Sequence, residues 1–414
     1  MRRAFSIIDE MESEAVKILS DLIGFPTVVP PGEHYEDCSK YLAELLSGWG
    51  LKVDVLRVPK SYVENFYPDW ADYPRFIVLA RLEGSSDKPT LHFNGHYDVV
   101  PPGSGWSITE PFKAKVVDGK IYGRGSTDMK GGITSILIAA RALAKCDANI
   151  NGVIELSFTP DEEVGGATGV GYIVNEGIVA PDYCVIAEPS STRSIWFGHK
   201  GMLWVKVVVE GKAAHGSTPW LGVNAFEKMV EVAHAMFNEL KPRVEAKKST
   251  YDYIDPRGAK ATMNIGGEIS GGAKINVVPP ICSFTIDRRI IPEETPEEAL
   301  SEIQSFLEEL RARDPQLKVK VEVLGKSNAC VTDPNSKIVK TAVEAGSEIL
   351  GISPKPTMCI GGLDMRYFVD KGVETITYGP GVLGVAHMAN EYISIKELVT
   401  MSKIYVNLAG KLLS

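Results

Sequence analysis

Leu91-His-Phe-Asn-Gly-His-Tyr-Asp98 reads as a short buried strand that runs out into a histidine and a carboxylate, His96 and Asp98. Open α/β sheets gather their ligands just beyond the carboxyl ends of their strands, so a strand ending in His-x-Asp marks both a fold class and a candidate site. The same pattern recurs along the chain. Val153–Thr159 reads as a strand followed by Pro-Asp-Glu162-Glu163-Val-Gly-Gly166, and Tyr183–Ala187 as a strand followed by Glu188-Pro189. The Gly-rich loop Gly123-Arg-Gly-Ser-Thr-Asp128-Met-Lys-Gly-Gly132 opens a helix, and His387 follows a strand at Thr375–Tyr378.

Around these segments the first half alternates helical and strand periodicities. Helices are expected at Met11–Ile23, Tyr41–Trp49 and Gly132–Lys145, and further strands at Lys52–Val58 and Phe76–Leu82. The fold class is therefore α/β, with a mixed, mostly parallel sheet covered by helices. From about Ile195 the segments lengthen: strands Leu203–Glu210, Thr262–Glu268 and Ser283–Ile290, with helices Asn224–Leu240 and Thr295–Arg313, fit a smaller four-stranded, two-helix α+β unit. After Val323 the α/β alternation returns, ending in a helix from Ile395. The expected division is a discontinuous catalytic domain of residues 1–196 and 325–414, interrupted by an inserted lid or dimerisation domain of residues 197–324. His96 and His387 can share one site only if the chain is split in this way.

Composition narrows the function. The 414 residues carry 44 Lys+Arg against 53 Asp+Glu, a net charge of −9 with the signs interspersed, so neither nucleic acid nor a membrane surface is an expected partner. The N-terminal apolar stretch is too short for a secretory signal, and the six scattered cysteines contain no C-x-x-C pair. Buried free thiols in a cytoplasmic protein are expected. No Walker loop, H-E-x-x-H or G-x-S-x-G motif occurs, which leaves serine and cysteine nucleophile chemistry without support.

Imidazoles and hard carboxylates from several strand ends suit Zn²⁺, with Co²⁺ or Mn²⁺ as substitutes, better than Mg²⁺. Two histidines with three carboxylates exceed the ligand count of a single catalytic zinc, and a two-metal site with a bridging carboxylate fits it. Adjacent Glu162 and Glu163 can point apart, one as ligand and one as base.

In order, His96-x-Asp98, Gly125-x-x-Asp128-x-Lys130-Gly131-Gly132, Glu162-Glu163-x-Gly165-Gly166, Glu188-Pro189, His215 in Ala-Ala-His-Gly-Ser-Thr-Pro219 and the late His387 resemble the aminoacylase/carboxypeptidase-type dizinc amidohydrolases. This is the family of acetylornithine deacetylase, succinyl-diaminopimelate desuccinylase and glutamate carboxypeptidase. The resemblance implies that His96 and Glu188 hold one metal, Glu163 and His387 the other, and that Asp128 bridges them while Asp98 orients His96. It implies that Glu162 is the general base for a metal-bridged hydroxide, and that His215 donates to the oxyanion, often across a dimer interface. It further implies substrate contacts at Asn276, Arg288, Gly362 and Arg366, the arginines holding a carboxylate. By the same resemblance, Glu rather than Asp at position 188 goes with acyl-amino-acid hydrolases and carboxypeptidases rather than aminopeptidases and dipeptidases, and so favours deacylation. A metallocarboxypeptidase or dipeptidase with the same centre is the alternative, and a metal-binding scaffold without catalysis a more remote one. The aromatic segment Ser61–Tyr73 departs from the compact desuccinylases, and its role is not legible.

Overall fold

The computed structural model describes residues 2–146 and 150–414, and the chain divides into two compact units. The first comprises Met1–Phe197, Thr332–Pro356 and Leu363–Ser414, and the second Gly198–Val331 with Thr357–Gly362. The return to the first unit falls after Val331 rather than at 325, because Lys318–Ser327 is a full edge strand of the second unit's sheet. The second unit's short recurrence at 357–362 was not expected from the sequence.

The first unit is built on a mixed sheet in the order Lys52–Arg57, Phe76–Glu83, Val153–Thr159, Thr90–His96, Tyr183–Ile186, Glu374–Thr377 and Ser194–His199. The four strands from Val153–Thr159 to Glu374–Thr377 run parallel, so their carboxyl ends lie side by side at one edge. The two N-terminal strands pair antiparallel as an outer hairpin. Thr90–His96 is buried throughout although polar, because its alternate residues are answered by the neighbouring strand. Asn94 Nδ2 donates to Ser157 Oγ at 2.9 Å and to Thr159 Oγ1 at 3.1 Å. His92 lies 2.7 Å from Ser157 Oγ and 3.3 Å from Glu155, the arrangement of a satisfied core histidine.

Helix Lys130–Lys145, rich in Ala, Ile and Leu, buries nearly its whole length and packs on Thr90–His96 and on the closing helix Ile395–Leu412. Its first turn needs glycine. A Cβ on Gly132 would stand 2.1 Å from the Ala187 carbonyl oxygen, and one on Gly131 2.4 Å from that of Ser126. The Gly-Gly pair thus lets the helix start directly against the strand end that carries Glu188. A small three-stranded sheet, Tyr392–Ser394, Lys120–Tyr122 and Lys115–Val117, joins the chain's last quarter to the loop before that helix.

The second unit is a four-stranded antiparallel sheet in the order Thr262–Gly271, Ile281–Ile290, Gly201–Glu210 and Lys318–Ser327. One face carries Leu203, Val205, Val207, Phe284 and Ile286 into a core with the helices Ala225–Ala235 and Pro296–Arg313. Asn224 caps the first helix; a capping box of Thr295 and Glu298, with Pro296 in the first turn, starts the second. Five of the six cysteines are buried. Among the described residues no helix is long and apolar enough to cross a membrane.

Candidate metal centre

The carboxyl ends of three of the four parallel strands bring His96, Glu162, Glu163 and Glu188 together beside the Asp128 loop, and His387 closes the cluster from the C-terminal segment. His96 is 1% exposed. Its Nδ1 lies 3.1 Å from the Asp98 carbonyl oxygen and 3.4 Å from the Asp98 carboxylate, which turns Nε2 inward. There Nε2 stands 3.2 Å from Asp128 Oδ1 and 3.3 Å from Glu188 Oε1. Asp128 presents its other oxygen, Oδ2, to His387 Nε2 at 3.3 Å, and His387 Nε2 is 3.1 Å from Glu163. One carboxylate therefore faces a different histidine with each oxygen, as a bridging ligand must.

Glu162 and Glu163 lie on a single 3-10 turn, Glu162–Val164, bracketed by two residues in the left-handed region, Asp161 at φ 68° and Gly165 at φ 108°. This break in the chain lets consecutive side chains aim into the cluster. Asp98 does a second job here: its carboxylate accepts from the Glu162 and Glu163 amides at 3.3 and 3.1 Å. It fixes the histidine and the turn together.

The electrostatics are those of an acid-rich, largely buried pocket. Burial, reinforced by Glu188, holds the Glu162 carboxyl well above the ordinary range. Burial, then the field of Asp128, pushes Glu163 and Glu188 up to about 7. Asp128 goes the other way: burial acts to raise it, but the hydrogen bonds of His387 and His96 outweigh burial and lower it. His387 is pushed up to about 10 by its hydrogen bonds to Asp128 and Glu163. Burial acts to lower His96, yet the charges of Glu188 and Asp98 raise it. Glu188 Oε1 is buried without an aligned hydrogen-bond donor. An orphaned carboxylate oxygen among two imidazoles and three further acids is the donor set that divalent cations satisfy.

Two residues that sequence reasoning missed support this cluster. Glu391, fully buried, accepts from the amides of Gly125, Thr127 and Asp128 at 3.1, 2.8 and 3.0 Å, and from Arg124 Nη1 at 2.6 Å. Arg124 in turn donates to the carbonyls of His387 and Met388. The pair clasps the Asp128 loop to the segment of His387, which itself sits at φ 63°. Arg124 stands inside the Gly123–Gly132 loop and Glu391 four residues after His387, but nothing in the sequence pairs them.

Two of the expected substrate contacts carry internal partners. Arg288 is fully buried and holds both Glu294 oxygens, at 2.8 and 2.7 Å. It follows Phe284 and Ile286 on the helix-packed face, whereas Arg289 alternates to the open face beside Asp287. Arg366 donates to the Leu363 and Gly165 carbonyls at 2.8 and 2.6 Å, with Asp364 at 3.7 Å, and so anchors the loop after Glu163 from behind. In the second unit, His215 and Asn276 lie on paired segments, with the Gly216 amide donating to the Asn276 carbonyl at 2.8 Å. His215 Nδ1 accepts from the Ser217 amide at 3.2 Å, which leaves Nε2 to carry the ring proton. Gly362 also belongs to that unit, where a Cβ would meet nothing within 4 Å.

The chain is similar over nearly its whole length to known proteins. It is 28% identical to an uncharacterised metallohydrolase of Methanocaldococcus jannaschii, covering 96% of this chain and 98% of that one. It is 27% identical to a probable succinyl-diaminopimelate desuccinylase of Staphylococcus aureus, over 92% and 93% of the two chains. The solved dipeptidase Dug1p of Saccharomyces cerevisiae superposes with a TM-score of 0.79 at 19% identity, over 99% and 98%. The model of peptidase family M20/M25/M40 matches residues 92–411. The chain, a hydrolase of amide or peptide bonds by that membership, belongs to peptidase family M20/M25/M40.

Proposed function

We propose that this protein hydrolyses the amide bond of an N-acyl amino acid at a dinuclear centre, with His96 and Glu188 on one ion, Glu163 and His387 on the other, and Asp128 between them. The single observation that carries the reading is Asp128, whose two oxygens face His96 and His387 separately. Zinc is the proposed metal, with cobalt or manganese as substitutes; when bound, the ions supply Lewis acidity toward the amide carbonyl and acidify the attacking water.

The chain's own groups do the rest. Glu162, on the turn whose amides Asp98 holds, takes the proton of the attacking water and later passes it to the leaving amine. Asp98 holds the His96 ring and the amides of the Glu162–Glu163 turn, so ligand and base keep a fixed relation. His215 is the proposed oxyanion donor through its Nε2 hydrogen. With Arg288 internally paired, Arg289 and Asn276 are the proposed contacts for a substrate carboxylate. Homodimerisation through the second unit belongs to the same proposal; the exposed Phe226 and Val230 on helix Ala225–Ala235 support it. The six scattered cysteines, with no C-x-x-C pair among them, support a reducing, cytoplasmic setting.

Glu188 and the likeness to the desuccinylase favour an acyl group over a peptide. The test is a panel of N-acetyl and N-succinyl amino acids and dipeptides, offered to metal-stripped protein reloaded with zinc, cobalt or manganese. The expected outcome is a kcat/KM for an acyl amino acid about tenfold or more above any dipeptide, about 1.4 kcal/mol of transition-state preference. A dipeptide preference would replace the deacylase by a dipeptidase, and no turnover with any metal would refute both.

A further inference from the structure

Arg75 is fully buried and its guanidinium reaches three separate loops of the first unit. Nε donates to Asp161 Oδ2 at 2.8 Å, Nη1 to the carbonyls of Trp70 and Tyr73 at 3.0 and 2.5 Å, and Nη2 to the Pro31 carbonyl at 3.0 Å. Asp161 is equally buried and both its oxygens accept: Tyr35 donates to Oδ1 at 2.9 Å, and Thr168 joins Arg75 at Oδ2. Tyr35 also stacks its ring under the guanidinium, 5.6 Å away.

Asp161 immediately precedes Glu162 and holds φ at 68°, a conformation unfavourable for a residue with a Cβ unless its surroundings impose it. Its own carbonyl accepts from the Val164 and Gly166 amides, which closes the turn. The other end of the turn is held from the aromatic segment. Tyr67, stacked on Trp70 at 5.6 Å, donates its hydroxyl to the Val164 carbonyl at 2.9 Å. The segment itself folds as helix Lys60–Glu64 and a 3-10 turn at Pro68–Trp70, and its carbonyls are what Arg75 grips.

We propose that Asp161 and Arg75 are positioning residues for Glu162, and that segment 61–73 is the outer jaw of the same clamp, acting through Tyr67 and the carbonyls of Trp70 and Tyr73. The proposal rests on the reading of Glu162 as general base. A base misplaced by about 1 Å costs on the order of 10²-fold in rate. A rigid clamp on both ends of a one-turn helix prevents such a shift, and it touches neither substrate nor metal.

The test compares Asp161→Gly, Asp161→Asn and Tyr67→Phe with Glu162→Gln in zinc-loaded protein. The probe is the member of the acyl amino acid and dipeptide panel that the unaltered protein turns over fastest. Glycine accepts the backbone angle but removes the anchor; asparagine accepts the angle and keeps an acceptor, with Tyr35 and Thr168 hydroxyls able to turn toward its amide. Asp161→Gly should lower kcat about 10²-fold with KM and zinc content within about twofold of the unaltered protein. Asp161→Asn should recover part of that loss, and Tyr67→Phe should lower kcat alone, by a smaller factor. Tyr67→Phe leaves the buried pair intact, so it decides the matter even if Asp161→Gly does not fold. Asp161→Gly or Tyr67→Phe with undiminished kcat, or losses that fall on KM or zinc content, beside an inactive Glu162→Gln, overturns the positioning proposal alone. Turnover surviving in Glu162→Gln overturns the base reading itself.

Discussion

Glu391→Gln exchanges one oxygen for an amide nitrogen at constant volume inside the clasp that joins the Asp128 loop to His387. Glu391 Oε1 receives the Thr127 and Asp128 amides, and Oε2 the Gly125 amide and Arg124. Whichever side the new amide takes, two donors lose an acceptor and face another N–H. Hydrogen bonds to a charged group contribute about 1.5–3 kcal/mol each, which gives roughly 3–6 kcal/mol for the two. Leaving Arg124 buried without its counter-ion costs about 3–5 kcal/mol, and this overlaps the first figure because one of the lost bonds is the ion pair. Burial and the field of Asp128 already push the Glu391 carboxyl up, so desolvation offsets part of the gain and the lower half of the range applies. The expected loss is therefore about 3–4 kcal/mol of unfolding free energy, read from urea titration of the metal-free protein. Zinc affinity, measured against a competing chelator, should fall about 10–100-fold, as when a supporting partner of a metal ligand is removed. A variant within about 1 kcal/mol of the unaltered protein, with unchanged zinc affinity, would refute the clasp.

His215→Ala should depress kcat about 10²–10³-fold at unchanged zinc content, the loss of one oxyanion donor; a normal kcat removes that role. Arg288→Leu should act on stability, since it leaves Glu294 with Lys247 as its remaining cation: about 1.5–3 kcal/mol in denaturant titration with KM unaltered, whereas a raised KM at full stability would restore Arg288 as a substrate contact. If Glu163 and Glu188 hold the metal as proposed, zinc must displace protons from carboxyls pushed up to about 7, so its apparent affinity should fall as pH drops from 8 to 6. Calorimetric titrations that give equal affinity at the two pH values would contradict this.

The positions of His96, Asp98, Asp128, Glu162, Glu163, Glu188 and His387 were legible because each follows a strand or opens a helix, and parallel strands bring such ends together whatever lies between them. The burial of Arg288 was legible: period two places it with Phe284 and Ile286 in the core, and its half-buried neighbour Arg289 alternates to the other face. Arg124 with Glu391, and Arg75 with Asp161, were not legible. Their partners are 267 and 86 residues apart, and a buried ion pair leaves no periodicity in the sequence. The short return of residues 357–362 to the second unit was hidden for the same reason, since three or four extended residues look alike in either unit.

The place of Glu374–Thr377 between Tyr183–Ile186 and Ser194–His199 has a consequence for biogenesis. When Tyr183–Ile186 leaves the ribosome, its parallel neighbour lies on the order of 190 residues further along, roughly 10–40 s of translation at about 5–20 residues per second. Throughout that interval the nascent sheet presents a row of unpaired amides and carbonyls beside the growing second unit, a template for pairing with other chains. Slowing elongation within the second unit's coding region should lower soluble yield, and holding chaperones that cover open strand edges should restore it.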